Sequence, residues 1–432
     1  MDILIVTVSL ILLAVFLFKP KIGLYLTAFF LPVIGFDLNL FNFAIPPVDL
    51  LALILLISFA LRYLFNFFFE PEKKIELRFP LLFPFAVFLT VSFVSSLLSA
   101  DPIYSIWYFC RWPLFLYLAY IFVPYNLIRD RKTLKNLIIT TTFSAMIVLL
   151  FGLLSLVGQD ISDSFFRVRS IAIFNVYPFG ENHNLIAEFL NIGAFFLLTL
   201  RVLAKTDKLK RIIDVLFLVS FVTIILTFSR TGWIVLAFQS FAYIWLYLKD
   251  RKINKKRLIL PIILCILMLS PFFFKMGNLQ SDNISSTENR WILTEISFKS
   301  FQDKPLLGQG SGYFIRLVEK DIRFRAKYGD PIDSHGILQK VLAENGLLGL
   351  LSWLFILLVL FKEYYQAFVK YNKRAPWLAP LILGSFGGLI FQLLNTSYYK
   401  GKVWLPIVVT LLAIELLNNK KDKENNIIEN EK

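Results

Sequence analysis

Residues 211–248 read RIIDVLFLVSFVTIILTFSRTGWIVLAFQSFAYIWLYL. The only charges in the run are Arg211, Asp214 and Arg230. As one helix it would extend about 57 Å at 1.5 Å per residue. A bilayer core is only about 30 Å thick. The run is therefore two crossing helices, broken at Ser229-Arg230-Thr231-Gly232. Two apolar helices joined by so short a turn form a hairpin in lipid, and that reading decides the fold class.

The same pattern repeats along the whole chain. Thirteen apolar runs qualify as spans: 3–18, 22–37, 49–69, 80–99, 104–124, 136–157, 183–203, 211–228, 231–248, 258–274, 347–369, 377–396 and 402–418. Across the 432 residues, 57% are hydrophobic, 16% aromatic and only 17% charged, against roughly 25% charged in a soluble domain. Too few polar residues exist to cover a soluble core, which excludes a soluble enzyme and a disordered protein. Cys110 and Cys265 both lie in apolar runs, which excludes a disulfide scaffold and a zinc site. The first run, Ile3 to Phe18, lacks a basic leader and a small-residue cleavage site, so it reads as a span rather than a signal peptide. The expectation is an all-α polytopic membrane protein with about 12–13 transmembrane helices.

The net charge of +15 would point to a polyanion in a soluble protein, but here topology accounts for it without nucleic acid. Alternate connections hold 2, 3, 4, 5, 6, 3 and 4 basic residues, or 27 of the 45: Lys19/Lys21, Glu70 to Arg78, Arg129 to Lys135, Arg201 to Arg211, Lys249 to Arg257, Lys370 to Arg374, and the tail. The opposite connections 38–48 and 100–103 hold none. The positive-inside rule assigns the basic set to the cytoplasm. Loop 158–182, the Arg230 turn and segment 275–346 then face the other side. Five regions result: helices 1–157, helices with outer arginine motifs over 158–274, a large outer loop 275–346, helices 347–418, and a cytoplasmic tail 419–432.

Segment 275–346 carries ten basic and nine acidic residues. Structureless loops of that length are uncommon and usually functional. Residues 288–302 predict an amphipathic helix with Trp291, Ile292, Phe298 and Phe301 on its apolar side. A turn, Lys304-Pro305-Leu306-Leu307-Gly308-Gln309-Gly310-Ser311-Gly312, follows. A second helix is expected to start at Asp333/Ser334 and to end at Asn345-Gly346.

The outer side holds the residues suited to chemistry. His335 is one of two histidines in the chain. At a helix N-terminus its imidazolium is disfavoured, leaving a neutral ring suited to accept a proton near pH 7. The plainer alternative is a histidine that helps cap the helix. Arg230 and Arg290 have guanidinium forks that match phosphate oxygens, and charge bias disfavours arginines on this side. Arg167 and Arg169 sit in Phe165-Phe166-Arg167-Val168-Arg169, and Arg111 lies two turns inside a span, where an ionisable group is costly. Headgroup contact is the plainer account of these arginines. The cluster Glu181-Asn182-His183-Asn184 reads as a helix cap. No Asp-x-Asp pair falls on the outer side to hold a divalent cation, so no metal and no cofactor are expected.

The run Leu226-Thr-Phe-Ser-Arg230-Thr-Gly-Trp-Ile resembles the arginine turn of the O-antigen ligase/polymerase superfamily. Glu288-Asn-Arg290-Trp-Ile with Pro305-Leu-Leu-Gly308-Gln-Gly310 is similar to the next family motif. Asp333-Ser-His335-Gly-Ile-Leu-Gln, running on to Ala343-Glu344-Asn-Gly346-Leu-Leu-Gly349, looks like the histidine motif and the span after it. A looser match runs from Arg169 to Ala187, so the resemblance covers about 169 to 355. The family usually has His-Asn where this chain has His335-Gly336.

The resemblance implies a GT-C-like membrane enzyme with one large, partly helical periplasmic loop. It implies transfer of a glycan from undecaprenyl diphosphate to lipid A–core at the periplasmic face of the bacterial inner membrane. In that role Arg230 and Arg290 bind the donor diphosphate, Arg169 and Arg111 assist, and His335 is the catalytic base. Inversion of the anomeric centre follows from attack opposite the departing diphosphate. A repeat-unit polymerase is the nearest alternative. A transporter or flippase of a lipid-linked sugar is an alternative of another class, but repeat halves and midplane polar groups are not evident.

Overall fold

The computed structural model describes residues 2–40, 43–70, 72, 76–159, 166–249, 280–395 and 401–430. The expected span 258–274 lies outside the described residues. In chain order the helices are α1 (Asp2–Phe18), α2 (Pro20–Phe29), α3 (Pro47–Phe69), α4 (Leu82–Leu97), α5 (Pro102–Leu127), α6 (Arg131–Leu154), α7 (His183–Leu203) and α8 (Asp207–Leu226). There follow α9 (Arg230–Lys249), α10 (Gln280–Asp303), α11 (Tyr313–Lys320), α12 (Ile322–Tyr328), α13 (Ile337–Tyr371), α14 (Leu378–Asn395) and α15 (Gly401–Asn430). A short antiparallel hairpin, β1 (Leu38–Leu40) with β2 (Phe43–Ile45), pairs Leu38 with Ile45. It is the one sheet among the described residues. The fold is all-α apart from it.

Seven of these helices are long and apolar enough to cross a membrane: α3, α5, α6, α7, α13, α14 and the Gly401–Asn419 part of α15. Two shorter apolar helices, Ile3–Phe18 and Leu82–Leu97, join them. Span 22–37 is corrected: α2 has only 10 residues and gives way to turns after Phe29. The predicted hairpin at 211–248 is present as α8 and α9, but the break is corrected from 229–232 to 227–229, where Phe228 has φ 55° and Arg230 already opens α9.

α7 lies at the centre, buried without interruption from Ile186 to Thr199. Small residues let its neighbours approach closely. A Cβ on Gly193 would stand 2.2 Å from the Ala145 side chain of α6, and one on Gly384 of α14 would stand 3.1 Å from the Ile192 carbonyl oxygen. The outer helices turn apolar stripes outward instead. On α13, Leu351, Leu354, Leu358, Phe361 and Tyr365 are exposed at helical spacing, as a lipid-facing surface requires.

The connections gather at two ends. Lys21 pairs with Asp130 at 2.7 Å, Arg78 with Glu415 at 2.8 Å, and Lys370 Nζ donates to Asn418 Oδ1 at 2.7 Å. These contacts unite the basic connections at one end of the bundle. At the opposite end Ile34 N–H donates to Pro178 O at 3.1 Å, Val168 N–H to Leu226 O at 2.9 Å, and Arg316 pairs with Asp101 at 3.0 Å. That second end carries α10 to α12.

Candidate functional site

The site is assembled where α9, α10, α14 and the start of α13 meet. Thr227 ends α8, and Phe228 takes a left-handed conformation that turns the chain. Ser229 then caps α9, its Oγ accepting the Gly232 N–H at 3.1 Å. The packing leaves no room at Gly232, where a Cβ would stand 2.9 Å from the Ala187 side chain of α7. Asn191 Nδ2 also donates to Gly232 O at 3.4 Å. Arg230 is thus the exposed first residue of a helix whose backbone is held against the central span.

Arg290 reaches the same place from α10. It is partly buried, and its Nη2 donates to Asn395 Oδ1 at 2.8 Å, at the last residue of α14. A cation is favoured at a helix C-terminus. Its Nε is buried without a hydrogen-bond partner. Burial, then the neighbouring Arg230 charge, lowers the Arg290 pKa from its ordinary value. Two guanidinium groups side by side repel, and an anion between them offsets that cost.

His335 completes the group. The structure corrects the expected helix start: α13 begins at Ile337, with Gly336 as N-cap and no side-chain cap bond. His335 is therefore in the extended approach to the helix, and it does not cap it. Its ring is nonetheless held below the ordinary histidine pKa, by burial first and by the Arg290 charge second, with Asp333 opposing. Burial and the Arg290 charge thus both favour the neutral ring. Gly336 suits this approach because a Cβ there would stand 3.0 Å from Leu393 O of α14.

The His335 approach is anchored by a residue that sequence reasoning missed. Lys340 is fully buried, and its Nζ contacts both Asp333 carboxylate oxygens at 2.7 Å and Tyr108 Oη at 2.9 Å. Asp333 and Lys340 are seven residues apart, and that two-turn spacing was the only signal available. Farther back, Ser297 Oγ donates to Gln339 O at 2.6 Å, and Gln339 Nε2 to Thr294 Oγ1 at 2.6 Å. These bonds lock the start of α13 to α10 one and two turns beyond Arg290. Asn395, also unforeseen, carries no sequence signal of its own.

α13 is broken at Gly346, as the sequence led us to expect, with φ 63° and ψ −157°. The turn 305–310 closes over that break. Leu347 N–H donates to Pro305 O at 2.8 Å, Leu348 N–H to Leu306 O at 3.1 Å, and Gly310 N–H to Glu344 O at 2.9 Å. The glycine-rich run is thus a structural turn, as the sequence predicts. On α10 the expected apolar face is corrected: Ile292, Leu293 and Ile296 are buried, whereas Trp291 and Phe298 are exposed.

Other predicted residues fall elsewhere. Arg111 lies on α5 one turn past Tyr108, its guanidinium 4.9 Å from the Trp112 ring centroid. Arg167 and Arg169 line a separate cavity of about 350 Å³ with Ser170, Tyr177, Glu181 and His183. Asn182 caps α7 there, its Oδ1 accepting the Asn184 N–H at 2.8 Å. Among the described residues, no group of three or more His, Cys, Asp or Glu side chains is placed to hold a metal ion.

Residues 215–354 match the family model described as O-Antigen ligase. No curated protein matches the chain. The matched segment contains Arg230, Arg290 and His335, the three residues that the fold brings together, and it excludes Arg111 and Arg169. It indicates an enzyme of O-antigen ligase/polymerase type that handles lipid-linked glycans in a membrane. The O-antigen ligase domain at residues 215–354 supports membership of the O-antigen ligase superfamily.

Proposed function

We propose that this protein is a membrane glycosyltransferase of the ligase kind. It transfers a glycan from undecaprenyl diphosphate to a lipid A–core acceptor at the periplasmic face of the bacterial inner membrane. The observation that carries this reading is the meeting of Arg230, Arg290 and His335 at the end of the bundle opposite the basic connections. Asp333, the carboxylate that acts on His335, is engaged by Lys340, which leaves the two arginines to take the donor diphosphate. His335, favoured in its neutral form, takes the proton of the acceptor hydroxyl. That hydroxyl attacks the anomeric carbon as the bond to diphosphate breaks on the opposite face, and the product is inverted. Guanidinium forks neutralise the leaving diphosphate without a metal.

The test is reconstitution of purified protein with a lipid-diphosphate glycan and lipid A–core, with and without EDTA. The reading expects a glycan–core conjugate in both. Linkage of one lipid-linked glycan to another, with none to the core, would instead identify a repeat-unit polymerase. Movement of the donor lipid across the bilayer without any new glycosidic bond would identify a transporter.

A further inference from the structure

We infer that the cavity lined by Arg167, Arg169, Ser170, Tyr177, Glu181 and His183 is a second anion site, which takes a phosphate of the acceptor glycolipid. The inference rests on the reading above, in which Arg230 and Arg290 take the donor diphosphate. It differs from the expectation that Arg169 belongs to the donor site.

The cavity is built into the fold. Its loop is fastened on several sides: Val168 N–H donates to Leu226 O at 2.9 Å, Arg169 N–H to Ser155 Oγ at 3.0 Å, and Arg167 N–H to Gln159 Oε1 at 3.2 Å. Gln159 Nε2 returns a bond to Arg167 O at 3.0 Å, and Pro178 O receives the Ile34 and Gly35 N–H groups at 3.1 and 3.2 Å. The Val168–Leu226 bond places this loop at the turn that leads into Arg230, so the cavity and the donor arginines share one end of the bundle. A phosphate in one and a diphosphate in the other would therefore lie at the same end of the bundle.

Its lining selects the ligand class. Two guanidinium groups favour a phosphate, which they bind by forked bonds. Ser170 Oγ is buried without a hydrogen-bond partner, and Tyr177 contributes a phenol. Glu181, the single carboxylate, would repel a bare anion but accepts the hydroxyls of a sugar. Arginines, hydroxyls and one carboxylate together fit a phosphorylated sugar. At about 350 Å³ the cavity is of the size of small-ligand pockets. A core bearing a sugar phosphate would offer such a group, and so would the sugar diphosphate of a second lipid-linked repeat unit.

The test uses the full chain in lipid nanodiscs, with the variants Arg169→Gln and Arg167→Gln/Arg169→Gln. Donor-lipid binding is measured without acceptor. Binding and transfer are then measured with phosphorylated lipid A–core, its phosphatase-treated form, and a lipid-linked repeat unit as acceptors. The inference expects unchanged donor binding and at least about a tenfold rise in KM and Kd for one phosphorylated acceptor. Loss confined to the phosphorylated core identifies the core phosphate as the ligand, and a raised KM for a lipid-linked unit as acceptor, with its binding as donor unchanged, identifies the repeat unit's diphosphate. The dephosphorylated core should bind wild type and variants alike. Unchanged acceptor affinity in both variants overturns the inference, and so does equal loss for phosphorylated and dephosphorylated core. Loss of donor binding overturns it as well, returning Arg169 to the donor site. Should wild type form no glycosidic bond, the proposed function fails, and the binding measurements still judge the cavity.

Discussion

Lys340, with no exposed surface, contacts both carboxylate oxygens of Asp333 at 2.7 Å, two residues before His335. The pair ties the extended approach of α13 to the body of the helix and, through Tyr108, to α5. The His335 position thus depends on a charge in the first turn of α13.

Lys340→Met should therefore lower both stability and turnover. Removing one partner of a buried pair costs roughly 3–5 kcal/mol. Asp333 keeps 32% exposure, which lessens its share, but the fully buried Glu344 carboxylate 3.7 Å from Lys340 loses its partner as well, so the expected loss is about 3 kcal/mol. Tyr108→Phe removes one hydrogen bond and should cost only about 1 kcal/mol. Thermal unfolding in detergent measures both. A Lys340→Met protein as stable and active as wild type would show that the pair holds nothing in place.

Arg290 acts on His335 by charge, and the sign is definite. The His335 pKa lies below 6.5 because of burial and, second, Arg290. In Arg290→Gln the midpoint should move up towards 6.5 but stay below it, since burial remains. With only His183 and His335 in the chain, imidazole-labelled NMR resolves the shift, and His183→Gln assigns it. A midpoint that stays put or falls would deny the electrostatic contact.

Two glycines should respond differently to alanine. Gly346 has φ 63°, and a Cβ there would stand 2.6 Å from the Leu306 backbone. Gly346→Ala should cost at least about 3 kcal/mol, with strain and backbone collision combined. Gly336 has an extended backbone, and a Cβ there would meet only the Leu393 oxygen at 3.0 Å. Gly336→Ala should fold, with a loss of about 1 kcal/mol. Equal behaviour of the two variants would show that the α13 break does not need its glycine.

Orientation can be read with reporters. A periplasm-specific reporter inserted at Gly329 should be active, and one fused after Asn418 should be silent. The reverse pattern would turn the whole bundle over and move His335 to the cytoplasm.

The readable parts of the fold were those written in local backbone chemistry. A charge and a glycine inside an over-long apolar run marked the α8–α9 break, and Asn345-Gly346 marked the break in α13. The unreadable parts depend on partners distant in sequence. α13 starts at Ile337 and not at Asp333, whose carboxylate is held instead by Lys340 from within the helix. The buried face of α10 follows what packs on it: Phe314, Val318 and Phe324 meet Ile292, Leu293 and Ile296, whereas the larger Trp291 stays outside. The fold also divides the outer arginines, with Arg230 beside Arg290, Arg290 beside His335, and Arg167 and Arg169 in their own cavity.

The central claim is that His335 accepts the acceptor proton between arginines that bind the donor. Turnover and donor binding by His335→Ala and His335→Asn, measured side by side in folded protein, test it most directly. Donor affinity should match wild type in both variants, while turnover falls about 10²- to 10⁴-fold. The wild-type pH profile should have an acidic limb below 6.5, as the lowered His335 pKa requires. Wild-type turnover by His335→Asn would contradict the account.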